Sequence, residues 1–335
     1  MMPGSTGTPY FSKTSRAWYS KRSTLAASSL RVGVVGEQPV SRHRDSSTSR
    51  DIGGTNPSAP ARLLRARAPR FDARGAPYDR GVRAARDWPE YAADGALVLG
   101  GAAAILLQLG DPVVARGVAA HSAFARDPLR RLEHTLAYVY AVSLGDDELE
   151  RLVAGMVDGA HSGVPGARDA AHQIWVAATL CWTGMRTHAL LRGAITAELA
   201  DEIVARSERL ATALQTRPGA WPRDRTAFAD YWDARIPALE IGPEAREVAG
   251  QLLHPTALPW WARPAMPIVR ALTPALLPPT VREAYGLPLR RGRAALALAL
   301  VRALLALAPR RLSELPSRHV LERLRRHAAR RSGKA

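Results

Sequence analysis

The sequence predicts an all-α protein, and three observations carry that reading. Aromatic residues make up only 6% of the chain while Ala/Leu-rich runs are common, a composition of helix rather than β-sandwich. No segment shows the apolar/polar alternation of a half-buried strand. Asp-Pro pairs and related helix-start signals separate the apolar segments. No fixed-period repeat is present. The expected architecture is one large helical domain over residues 81–331, preceded by a basic leader over 1–80.

The leader is rich in Ser, Thr, Gly, Pro and Arg. It cannot bury enough apolar surface to offset chain entropy, so disorder is expected. Asp87-Trp88-Pro89 opens the ordered part. From Tyr91 to Leu109 only Asp94 is charged, which predicts one buried helix. Asp111-Pro112 starts a helix to about Ala123. Asp127-Pro128 caps another, to about Ser143, with Leu129, Leu132, Leu136 and Tyr140 on one stripe. Acidic residues at 146–150 suit the first turn of a helix over 147–161 and read as a solvated helix start. Longer helices follow over 167–191 and 196–215, then 225–236 and 243–253. A short helix from Pro267 is expected to break before Pro274, and another follows Pro278-Pro279. The apolar run Ala294–Leu307 holds Arg302 and predicts a buried or surface-docked helix. A basic amphipathic helix over about 312–331 ends the chain. The tryptophans at 88, 175, 182, 221, 232, 260 and 261 read as core or pocket-wall residues.

Lys plus Arg is 47 and Asp plus Glu is 30, a formal net charge of +17. Only Lys13, Lys21 and Lys334 are lysines. The charge is +9 over 1–80, −3 over 81–288 and +11 over 289–335. A duplex-binding domain carries its basic stripe on its folded body, and this body is near neutral, which argues against nucleic acid. The arginines at the end read first as a solvated helical face and second as a contact for anionic lipid. The one cysteine, Cys181, excludes an internal disulfide framework, a multi-cysteine zinc site, an iron–sulfur cluster and covalent c-type haem. It reads as a buried small hydrophobe. Gly33–Gly36 and Gly100-Gly101 lack Walker or Rossmann spacing.

No apolar run reaches the roughly 18 residues that span a bilayer. Lys21-Arg22 is followed by an apolar stretch that Arg31 interrupts, with no clear cleavage site. A cytoplasmic chain, at most peripheral to a membrane, is expected. The long arginine-rich leader is also compatible with a translation start nearer residue 80.

Candidate chemistry centres on histidine. Arg131 and Thr135 are i and i+4 on one helix and share a face with His134. His121 lies one short loop earlier, and His161 ends the next helix. Neutral imidazole is a common axial ligand of haem iron. An arginine fork matches a propionate, and a hydroxyl or imidazole can face bound oxygen. Asp158 or a helix carbonyl would orient the ring of His161. By residue type alone, each histidine reads first as a satisfied core or surface residue rather than a ligand, and Arg131 and Thr135 as ordinary helix-surface residues.

Three runs add a resemblance: Leu107-Gln108-Leu109-Gly110-Asp111-Pro112, then His121-Ser122-Ala123-Phe124-Ala125-Arg126-Asp127-Pro128, then Arg131-Leu132-Glu133-His134-Thr135. With Ala160-His161, the run from Trp175 to Leu180 and the run from Leu277 to Pro288, they resemble the catalytic-domain family of MpaB-type oxygenases and latex-clearing protein (rubber oxygenase). The similarity covers roughly residues 85–325, and the order of motifs is more specific than any one of them. The resemblance implies an all-α fold, a non-covalent haem b and an apolar substrate oxidised with dioxygen. It implies that His161 is the metal ligand, and that Arg131 and Thr135 are residues of the distal helix. His134 stands where rubber-cleaving members carry a lysine that caps the iron. Many relatives have histidine where Asp111 and Ala177 stand here, which leaves open a degenerate, non-catalytic member that docks on anionic membranes through its arginine-rich ends.

Overall fold

The computed structural model describes residues 83–121 and 127–332, which fall within one compact unit. The expected leader over 1–80 lies outside them. Among the described residues every regular element is a helix. We number the α-helices α1 (Trp88–Ala92), α2 (Gly101–Gln108), α3 (Pro112–His121), α4 (Pro128–Leu144), α5 (Asp147–His161), α6 (Ala170–Leu191), α7 (Ala197–Ser207), α8 (Arg209–Thr212), α9 (Arg225–Arg235), α10 (Pro243–Leu253), α11 (Met266–Leu276), α12 (Pro279–Ala284), α13 (Arg291–Leu307), α14 (Arg310–Ser313) and α15 (Leu315–Ser332).

Caps set most starts. The side chains of Asp87, Asp127, Asp146, Asp169, Thr196 and Asp224 each accept a hydrogen bond from a backbone N–H in the first turn, satisfying donors that have no partner within the helix.

α6 is the central element. It packs against α2, α7, α8 and a 3-10 turn over Gly95–Gly100. Trp175 is fully buried on it, and its indole N–H donates to the Leu107 carbonyl at 3.2 Å. Trp182 stacks on Trp232 of α9 at 4.5 Å between ring centroids. Cys181 is buried beside them, and burial pushes its thiol up to about 12, so it behaves as the expected small hydrophobe.

Three sequence expectations need correction. The single helix expected over 91–109 is broken. Asp94 leaves the helical path to cap Ala96 N–H and to pair with Arg192 at 2.8 Å, both side chains being buried. The helix expected over 196–215 breaks at Ser207, whose hydroxyl donates back to the Ile203 carbonyl at 2.7 Å. α11 runs through Pro274 instead of stopping before it. The preceding Thr273 donates its hydroxyl to the Val269 carbonyl at 2.7 Å, and Thr273, Pro274 and Leu276 are all buried, so packing outweighs the lost backbone hydrogen bond.

No single helix among the described residues is long and apolar enough to cross a membrane. One bent pair, Gly95–Gln108 with Pro112–Ala120, passes by composition but turns through 111°. Its buried Ala103, Leu106 and Leu107 are part of the core.

Candidate functional site

α4 and α5 form a hairpin across Gly145-Asp146 and pack against each other. Leu149 and Val153 of α5 and Tyr140–Val142 of α4 are buried in the core. This hairpin carries four of the five residues expected at the site. His121 ends α3, and its side chain lies outside the described part of the structure.

His161 is the last residue of α5 and is partly buried. Its Nδ1 atom is buried without a hydrogen-bond partner. Burial, reinforced by the Arg131 guanidinium, pushes its pKa down, so the imidazole is neutral at physiological pH. Asp158 does not orient the ring as expected. Its carboxylate is taken by Arg168 at 2.7 Å and by the Gln215 side-chain amide at 2.6 Å.

His134 is pushed down to about 4, first by burial and then by Arg130 and Arg131. The structure therefore brings Arg131 within electrostatic reach of both His134 and His161. The Thr135 hydroxyl donates to the Arg131 carbonyl at 3.0 Å, so its hydrogen is committed to the helix while its oxygen can still accept. Glu133, between them in sequence, pairs with Arg323 of α15. α15 packs on both α4 and α5 and buries Leu321, Leu324 and Ala328.

Two residues that depart from the usual family pattern are structural here. Asp111 is buried, accepts from the Val113 and Val114 N–H groups at 2.9 and 3.3 Å, and pairs with Arg235. Arg235 also lies over the Trp175 ring at 5.5 Å. His172 places Nε2 3.6 Å from the Asp111 carboxylate, and its Nδ1 donates to the Gly166 carbonyl at 3.1 Å. This Asp111–Arg235–His172 network was not foreseen from sequence, because its members come from three helix ends far apart in the chain. Ala177 is buried and brings no polar atom.

The donor set can be tested against a metal or haem. Among the described residues no group of three His, Cys, Asp or Glu side chains could hold a bare metal ion. A lone neutral imidazole instead suits a metal that arrives with its own chelating ring. An unpartnered buried nitrogen beside an arginine fits that requirement at His161. Two small cavities, of about 230 and 180 Å³, lie elsewhere. One is lined by Asp146, Leu149, Arg325 and Ala328, the other by Arg83, Arg192, Leu305 and Arg310.

Comparison with known proteins identifies the family of the chain. The sequence model of the family described as "ER-bound oxygenase mpaB/B'/Rubber oxygenase, catalytic domain" matches residues 88–309, from α1 through α13 and including the α4–α5 hairpin. Uncharacterized proteins of Mycobacterium bovis and Mycobacterium tuberculosis are each 31% identical to this chain over 172 residues, covering 48% of this chain and 68% of theirs. No solved structure matches the chain. α14 and α15 lie beyond the family match, yet α15 braces the hairpin that bears the candidate site. The match over residues 88–309, about two-thirds of this all-α chain, makes it a member of the mpaB/rubber oxygenase catalytic-domain family.

Proposed function

We propose that this protein is an oxygenase that uses haem b and dioxygen to oxidise a small apolar substrate. The observation that carries the reading is the buried, unpartnered Nδ1 of a neutral His161 with Arg131 in electrostatic reach. His161 would hold the metal, and Arg131 would meet a propionate or order the opposite side. Haem b, when bound, supplies the redox-active iron at which dioxygen is activated. His134, neutral above about pH 4, can donate or accept one hydrogen bond without bringing a charge to an apolar site. The Thr135 oxygen, its hydrogen committed to the Arg131 carbonyl, can accept a further hydrogen bond. The partly buried Leu136, Val139 and Leu152 of the hairpin favour an apolar substrate over a charged one. The family description supports oxygenase chemistry in general; haem, dioxygen and the residue roles are our reading.

The test is an absorption spectrum of freshly purified protein with iron quantified. A Soret band is expected, and His161→Ala should weaken or remove it while leaving helix content unchanged. His134→Leu should keep the band but shift its position. Colourless, iron-free protein after expression with haem supplied would overturn the proposal.

A further inference from the structure

α13 is two-faced in a way its sequence hides. One face buries Ala297 and Val301, with Leu298 and Leu305, against Ile268, Ala271 and Leu272 of α11. The opposite face exposes Leu296, Leu300, Leu304 and Leu307, with fractional exposures from 49% to 83%. These four recur at helical spacing and form one continuous stripe. Arg293 sits one turn before the stripe and is exposed. Trp260 and Trp261, expected in the core, are also exposed, in the turn that leads to α11.

At the C-terminal end of the same helix lies a basic cavity of about 180 Å³. Leu305, Ala306 and Ala308 form its apolar wall, and Arg83, Arg86, Arg192 and Arg310 supply four guanidinium groups. Among the described residues, two carboxylates answer them. Glu90 pairs with Arg86 at 2.8 Å and with Arg310 at 3.1 Å, and the buried Asp94 pairs with Arg192 at 2.8 Å. The mouth keeps a surplus of positive charge beside the exposed Leu304 and Leu307.

We infer that the α13 face docks on an anionic phospholipid surface. The leucine stripe enters the acyl boundary, and the arginine cavity at its end takes a lipid phosphate. An exposed apolar stripe contiguous with a guanidinium cluster matches the two layers of an anionic bilayer surface. Planar guanidinium groups are suited to phosphate oxygens. A second protein copy would bury the leucines but would bring an equal surplus of positive charge to the cavity. The inference does not depend on haem. Within the arginine-rich C-terminal segment it places the lipid contact on α13 rather than on the exposed arginines of α15, whose other face packs on α4 and α5.

The experiment is co-sedimentation of the full chain with phosphatidylcholine vesicles containing about one-third phosphatidylglycerol. The wild type is expected to bind, and to bind pure phosphatidylcholine vesicles much less. Leu300→Glu combined with Leu304→Glu and Leu307→Glu should lower partitioning by roughly tenfold or more. Leu307→Glu alone should lower it by a smaller factor with unfolding unchanged, because that side chain already faces solvent. Arg83→Gln with Arg86→Gln should reduce the preference for anionic vesicles. Arg325→Gln with Arg330→Gln and Arg331→Gln on α15 should leave binding within about twofold. Three results would overturn the inference. One is wild-type binding by the folded leucine variants. Another is loss of binding only on substituting α15. The third is a wild-type dimer that binds no vesicles and that the leucine variants convert to monomer.

Discussion

Acid should destabilise this fold through one buried histidine. His188 of α6 is fully buried; its Nε2 accepts from the Ala85 N–H at 3.0 Å and its ring lies 5.7 Å from that of Tyr91. Its Nδ1 has no hydrogen-bond partner. Burial holds its pKa at about 4 against an ordinary 6.5, opposed by Asp94 and the Gly193 backbone and assisted by Arg192 and Arg310. The unfolded chain therefore takes up a proton below pH 6.5 that the folded chain refuses until about pH 4. The stability this residue permits is complete above pH 6.5 and is lost as pH falls through that window. Linkage puts the loss at about 2–3 kcal/mol between pH 7.5 and pH 4.5. Carboxylates titrate over part of the same range, so the measurement must be a difference. His188→Gln keeps an acceptor for the Ala85 N–H and does not titrate. Urea unfolding followed by circular dichroism gives the stability gap between wild type and variant at each pH. That gap should shift towards the variant by about 2–3 kcal/mol on going from pH 7.5 to pH 4.5. A gap that stays constant with pH would refute the reasoning, because His188 would then not be the group excluded from protonation.

Removing one partner of the buried Asp94–Arg192 pair should be costly: Asp94→Ala leaves an unpaired buried guanidinium and should lose about 3–5 kcal/mol in urea unfolding. Gly184→Ala places a methyl group against the Tyr91 hydroxyl where α6 meets α1, and should cost about 1–3 kcal/mol by the same assay. Trp232→Ala empties the stack between Trp182 and Trp175 and should cost about 3–5 kcal/mol, read as a lowered unfolding midpoint. Glu133→Gln should remove the tie between α4 and Arg323 yet change stability by less than about 1 kcal/mol, since both groups are half-exposed; a larger loss would show that α15 is held by that pair rather than by its leucines.

The candidate site was legible as far as local rules reach. α5 begins after its Asp146 cap and ends at His161, matching the helix expected over 147–161 from its acidic first turn. α4 begins at Pro128 behind Asp127 for the same reason. Spacing put Arg131, His134 and Thr135 on one face. It could not show that Arg131 acts electrostatically on His161, because the angle between two helices is set by side chains distant in sequence. Nor could it show that Asp158 is drawn away by Arg168 and Gln215.

Composition misled where a helix is apolar all round. Between Ala294 and Leu307 leucine and alanine occupy every direction, so no pattern marks the buried side. Packing against α11 alone decided that Ala297 and Val301 face in and Leu300 and Leu304 face out. Trp260 and Trp261 were misread for a related reason: hydrophobicity says what gains from burial, not what finds a partner.

By itself, the sequence determined the helical class, the caps, the near-neutral body and the absence of thiol chemistry beyond Cys181. All of these follow from residue type and short spacing. Only the tertiary structure decided which histidine ring nitrogens are buried without a partner, which aspartate pairs with which arginine, and which leucines are left exposed. Those depend on desolvation and close approach between segments up to a hundred or more residues apart, as in the Ala85–His188 contact, and no local rule contains them.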